Sequence, residues 1–144
     1  MTHSPEDIIK QLLIDLSLGT TPADAGSWPI YSLQEPNTDD NLIVVYGTEG
    51  RLHGRNSVTS KMAEHYGIQI AIRSNSPTAG HTKANAVAVA IDQTASLNAV
   101  TITSSVYVIH SVNRVSGPIN AGTEPDSKRY LTTINALTSI RQTI

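Results

Sequence analysis

The chain has 144 residues, a length that suits one domain and allows a buried core without staples. It contains no cysteine, which excludes disulfide frameworks, thiolate nucleophiles and cysteine-ligated zinc or iron–sulfur sites. Ten Lys and Arg against twelve Asp and Glu give a net charge of −2, which is no signature of an electrostatic nucleic-acid clamp.

Charged residues make up 15% of the chain, below the usual quarter, and Ser, Thr and Asn fill the gap. A surface so poor in charge repels neighbours weakly and hints at an assembly. Phe is absent and aromatics total 4%, so Val, Ile, Leu and Ala must build the core. No run approaches the roughly 18–20 apolar residues of a membrane span. The start, Met1 to Asp7, is acidic and polar, unlike a signal peptide, so the expected product is soluble and stays where it is made.

Ser4-Pro5-Glu6-Asp7 is a helix start: Ser4 can cap, Pro5 suits the first helical position, and the carboxylates meet the positive dipole end. Ile8, Ile9, Leu12, Leu13 and Leu16 follow at helical spacing, and Gly19 is expected to stop the run. Thr20 to Ser27 reads as a loop, and Trp28-Pro29-Ile30-Tyr31 as a short edge strand, because Pro29 removes a ladder donor. Gln34 to Asn41 is dense turn chemistry, and Leu42-Ile43-Val44-Val45-Tyr46 a strand buried on both faces.

From Gly47 to about Glu64 the hydrophobic pattern disappears. Gly47, Gly50 and Gly54 punctuate Arg51, His53, Arg55 and Lys61, and the stretch reads as an extended, partly mobile arm. Ile68, Ile70 and Ile72 then alternate with Gln69, Ala71 and Arg73 as a half-buried strand.

Ser76-Pro77 opens a second helix by the same device, with Ala84, Val87, Ala88, Ile91 and Ala95 as its apolar stripe. From Val100 the period drops to two. Val106, Val108, His110 and Val112 are expected on one strand face, Tyr107, Ile109 and Ser111 on the other. Ile119 lies in a short strand after a Gly117-Pro118 break, and Tyr130 to Ile140 is a Thr-rich last strand. The predicted fold is one α+β domain over 1–144: a mostly antiparallel sheet packed against two helices, with a long polar arm, about 47–64, between strands.

No constellation supports a reaction. His3, His53, His65, His81 and His110 form no H-x-x-x-H or H-E-x-x-H pair, so no metal site is expected. Gly47 to Arg55 lacks the Gly-Lys-Ser/Thr ending of a phosphate loop, and no helix pattern follows it. Asp39-Asp40 and the pair Glu124 and Asp126 sit in turns, where carboxylates accept backbone hydrogen bonds. No Ser has a nucleophile elbow around it. The expectation is a non-enzymatic chain with no cofactor.

Several stretches together resemble the tail terminator (tail-completion) and minor capsid proteins of long-tailed bacteriophages. They are Ser4-Pro5-Glu6-Asp7-Ile8, Trp28-Pro29-Ile30-Tyr31, and Glu35-Pro36 with Asp40-Asn41 before the Leu42–Tyr46 strand. The Gly50–Met62 arm follows, then Gly67-Ile68-Gln69-Ile70-Ala71-Ile72-Arg73, Lys83-Ala84, and Gly117-Pro118 leading into Lys128-Arg129-Tyr130. The resemblance covers about residues 4–135 and rests on the order of many weak motifs, with the Gly-Ile-Gln-Ile-x-Ile-Arg strand the most telling.

The resemblance implies a small structural subunit of the virion, assembled in the host cytoplasm. It would form a homo-oligomeric ring, typically a hexamer, at the head-proximal end of the tail tube. Such a ring ends tube polymerisation and docks to the head connector or stopper, while DNA passes through its lumen without sequence-specific binding. Another connector component, an adaptor or stopper, is the alternative; a small enzyme or ligand-binding module with an interface site is a further one. The arm is the expected docking element. Arg51, Arg55 and Lys61 are three of only ten basic residues, which makes it locally cationic, and His53 is counted with them as a docking residue. These charges can meet an acidic rim on the tube or connector, or touch DNA in the lumen.

Overall fold

The computed structural model describes residues 2–22, 28–37, 39–55, 62–93, 98–124 and 128–143, with backbone alone for 49–55 and 62–64. In chain order the elements are α1 (Pro5–Asp15), β1 (Ile30–Ser32), β2 (Leu42–Arg55), β3 (Met62–Ser74), α2 (Pro77–Gln93), β4 (Asn98–Ile102), β5 (Ser105–Thr123) and β6 (Tyr130–Gln142). The six strands form one sheet in the order β1-β2-β3-β6-β5-β4. Every pairing is antiparallel except β1 with β2. The fold is α+β, as the sequence predicts.

Both helices begin as their Ser-Pro signals require. The Ser4 hydroxyl accepts from the Asp7 N–H at 3.2 Å, and that of Ser76 from the Ala79 N–H at 3.3 Å. The end of α1 differs from expectation. It stops at Asp15, and Ser17 rather than Gly19 takes the left-handed conformation, with φ of 60°. Leu18 N–H donates to the Leu13 carbonyl at 3.0 Å and Ser17 N–H to Ile14 at 2.9 Å, a Schellman ending. Leu16, expected in the apolar stripe, is the helix cap and is 38% exposed. Gly19 serves a different purpose: a side chain there would run into the Trp28 carbonyl and Ile30.

One face of the sheet carries Ile43, Val45, Ile68, Ile70, Ile72, Tyr107, Ile109 and Ile134. Onto it pack Ile8, Ile9, Leu12 and Leu13 of α1 and Ala84, Val87, Ala88 and Ile91 of α2. Ala95 lies outside the described residues. The helices therefore share one side, and among the described residues the other side of the sheet is free of helix.

β5 corrects two expectations. Gly117-Pro118 does not split it; the strand runs on with register shifts against β6. One shift falls at His110, between the pairs Ile109↔Ile140 and Ser111↔Ser139. The extra residue reverses the alternation, so Val112 packs against the core on the side of Tyr107 and Ile109, not with Val106 and Val108.

Candidate assembly surface

Over 47–55 and 62–64 the predicted arm is a β-ribbon, and 56–61 lie outside the described residues. β2 pairs with β3 from Leu42↔Arg73 to Arg55↔Met62, with register shifts between Thr48 and Arg51 and between His53 and Arg55. β3 pairs with β6 only from Ser74↔Tyr130 to His65↔Ser139, and β1 reaches only Ile43 to Val45 of β2. Beyond His65 the two strands bond to each other and to no third strand among the described residues. The lost hydrophobic pattern is compatible with strand here, because backbone pairing holds a ribbon without demanding a side-chain period.

The ribbon places three of the four singled-out docking residues on one strand: Arg51 opposite His65, His53 opposite Ala63 and Arg55 opposite Met62. Lys61, and the side chains of Arg51, His53 and Arg55, lie outside the described residues.

The helix-free side of the sheet continues from the ribbon. Across it runs a polar row, Tyr46–Gln69–Asn135–Ser116, one residue from each of β2, β3, β6 and β5. The Gln69 amide donates to the Asn135 carbonyl oxygen at 3.3 Å, and the Asn135 amide to the Ser116 hydroxyl at 3.0 Å. The flanking rows are Val44–Ala71–Thr133–Ile119 and Thr48–Gly67–Leu137–Asn113. These twelve positions carry no formal charge, and Ile119 and Leu137 are exposed. Desolvating such a face costs less than desolvating ions, and charge depletion marks the centres of protein interfaces.

At the Leu42 end of this side the loop from Leu33 to Asn41 is held by two arginines that sequence reasoning missed. Arg73, read as the outward residue of a half-buried strand, is only 2% exposed. Its guanidinium meets Glu35 at 3.3 Å and donates to the carbonyls of Pro36, at 2.6 Å, and Asp39. Arg129 donates to the Asn37 carbonyl and side chain, both at 2.9 Å, and to Asp40 at 3.1 Å. The Tyr31 hydroxyl donates to Asp39 at 2.6 Å and that of Tyr46 to Glu35 at 2.9 Å. Burial and the Glu35 acceptor push the Tyr46 phenol up to about 12; the bond to Asp39, then burial, raises that of Tyr31.

The carboxylates weighed as acid–base candidates are thus engaged structurally. Asp39 and Asp40 belong to this clasp, and Glu124 stands 3.9 Å from Arg73. Asp126 lies outside the described residues. An acidic turn facing a strand that ends in Arg is a legible signal in retrospect, but nothing in the sequence pairs the two.

The histidines are dispersed. His3 Nδ1 stands 2.6 Å from the buried Tyr107 hydroxyl, which also accepts from the His3 N–H at 3.0 Å. His81 is exposed on α2, His65 is on β3, and His110 is the bulged residue of β5. Among the described residues no group of three or more His, Asp and Glu could hold a metal ion. A hollow beside α1 holds Lys83 with its ammonium 5.6 Å from the Trp28 ring centre, and burial lowers the Lys83 pKa. It brings no acid and base together.

Among the described residues no helix is long and apolar enough to cross a membrane. Compared with protein-family models and with curated proteins, the chain matches none.

Proposed function

We propose that this chain is a structural virion subunit of the tail-terminator kind. Copies of it form a ring, six-fold in this reading, at the head-proximal end of the tail tube. The ring ends tube polymerisation and docks to the head connector, with DNA passing through the lumen. The observation that carries the proposal is the ribbon of β2 and β3 beyond His65, which among the described residues has no third strand to lean on. A two-stranded ribbon alone is marginally stable in water, so such an arm gains most from a partner surface. The uncharged rows at the centre of the helix-free side support the same reading, because close neighbours in a ring need faces that desolvate cheaply.

In a ring the ordering cost of each arm is offset, because several copies engage one symmetric partner at high effective concentration. The cations Arg51 and Arg55 are carried by the ribbon and face an acidic rim on the tube or connector in this proposal. The test replaces both with Ser and scores ring formation, capping of tail tubes and head joining separately. Intact rings that no longer cap or join are expected. Normal virion assembly by the double variant would overturn the docking role.

A further inference from the structure

Two long stretches of sheet edge have no partner strand among the described residues. β4 covers only Ser105 to Ile109 of β5, which leaves the outer edge of β5 open from His110 to Thr123. β1 covers only Ile43 to Val45 of β2, and the Leu33 N–H takes the Val45 carbonyl, which leaves the outer edge of β2 open from Tyr46 to Arg55. Proteins commonly blunt such edges with charges, because unpaired N–H and C=O groups template pairing with another chain. The β5 edge is poorly guarded. From His110 to Ser116 its sequence has one charged residue, Arg114, whose guanidinium is turned to Asp92 of α2 at 2.6 Å. The neighbouring Val115 is 64% exposed.

We infer that the His110–Ser116 edge of β5 receives the outer strand of the arm, β2 from Tyr46 to Arg55, of a second copy of this chain. The slot is bounded. β4 ends it on one side, and Pro118, with no N–H to give, ends it on the other. The arm supplies a strand free to fill it, since that part of β2 has β3 on one side only. Within one chain β3 and β6 separate the two edges in the sheet, so each is satisfied by a neighbour. A two-fold pairing of β5 with β5 over the same stretch would centre on Asn113 and leave the open edge of β2 unpaired, which disfavours it. Joining two different edges is a head-to-tail contact, the kind that closes into rings. The inference rests on the proposed ring and names its contact.

The experiment is amide hydrogen exchange on the full chain, dilute and concentrated, beside the variant Val115→Lys. That position is exposed, so the variant is expected to keep the circular dichroism and thermal melt of the parent. On assembly the amides of 46–55 and 110–116 are expected to slow together by about tenfold or more, and Val115→Lys is expected to lose assembly. Rings that form without slowing at 110–116, or that Val115→Lys forms unchanged, overturn the edge contact and leave the ring standing. A dimer protected at 110–123 but not at 46–55 overturns it in favour of the two-fold. A chain that stays monomeric at every concentration overturns the contact and the ring together.

Discussion

Replacing Arg73 tests how the turn-rich loop is held on the sheet. Arg73→Met keeps most of the buried aliphatic stem and deletes the guanidinium that bonds Glu35 and the carbonyls of Pro36 and Asp39. Breaking a buried ion pair commonly costs about 3–5 kcal/mol, because the surviving charge is left without a partner. Here the Glu35 side chain is 31% exposed and rehydrates, so the low end applies, about 3 kcal/mol. Against a domain stability of about 5–15 kcal/mol that is a large fraction. Urea unfolding followed by far-ultraviolet circular dichroism measures it, with the midpoint falling and the slope unchanged. Glu35→Gln, which keeps an acceptor, is expected to cost about 1 kcal/mol. A loss below about 0.5 kcal/mol for Arg73→Met would refute the clasp, since ordinary surface changes stay within that range.

Leu12→Asp places a carboxylate in the α1 core contact and is expected to leave no cooperative thermal transition; a folded variant that only loses its oligomer would move α1 to the interface. Gly19→Ala forces a methyl against the Trp28 carbonyl and Ile30 and is expected to cost about 1–3 kcal/mol in chemical denaturation. Tyr46 is raised from 10.0 to about 12 in the fold, so its contribution is complete below pH 10 and lost as pH rises through 12. Tyr46→Phe should therefore flatten the alkaline loss of stability between those values, and an unchanged pH profile would refute the burial and Glu35 bonding of the phenol as its cause.

Local chemistry was legible where it repeats a short-range rule. Ser4 and Ser76 before proline give both helix starts, and the Ile68, Ile70, Ile72 alternation gives a strand face. The Ala84, Val87, Ala88, Ile91 stripe is buried as its period demands. What was not legible depends on partners distant in sequence. The His110 bulge exists only relative to β6, and it moves Val112 to the core side. The pairing of Arg51–Arg55 with Met62–His65 is held by the backbone, which no side-chain period reports. Arg73 is buried because a loop folds over it from Glu35 to Asp39, a contact more than thirty residues away along the chain. The edges proposed for assembly follow from where β1 and β4 stop, and strand ends are set by pairing rather than by composition.

In the proposed assembly, copies of this chain close into a hollow ring. Negative-stain electron microscopy of the purified chain, with its mass in solution measured by light scattering at the same concentration, tests it most directly. Particles with a central hole, six-fold symmetry and a mass near six chains are expected. A monodisperse single chain across the accessible concentration range would contradict it.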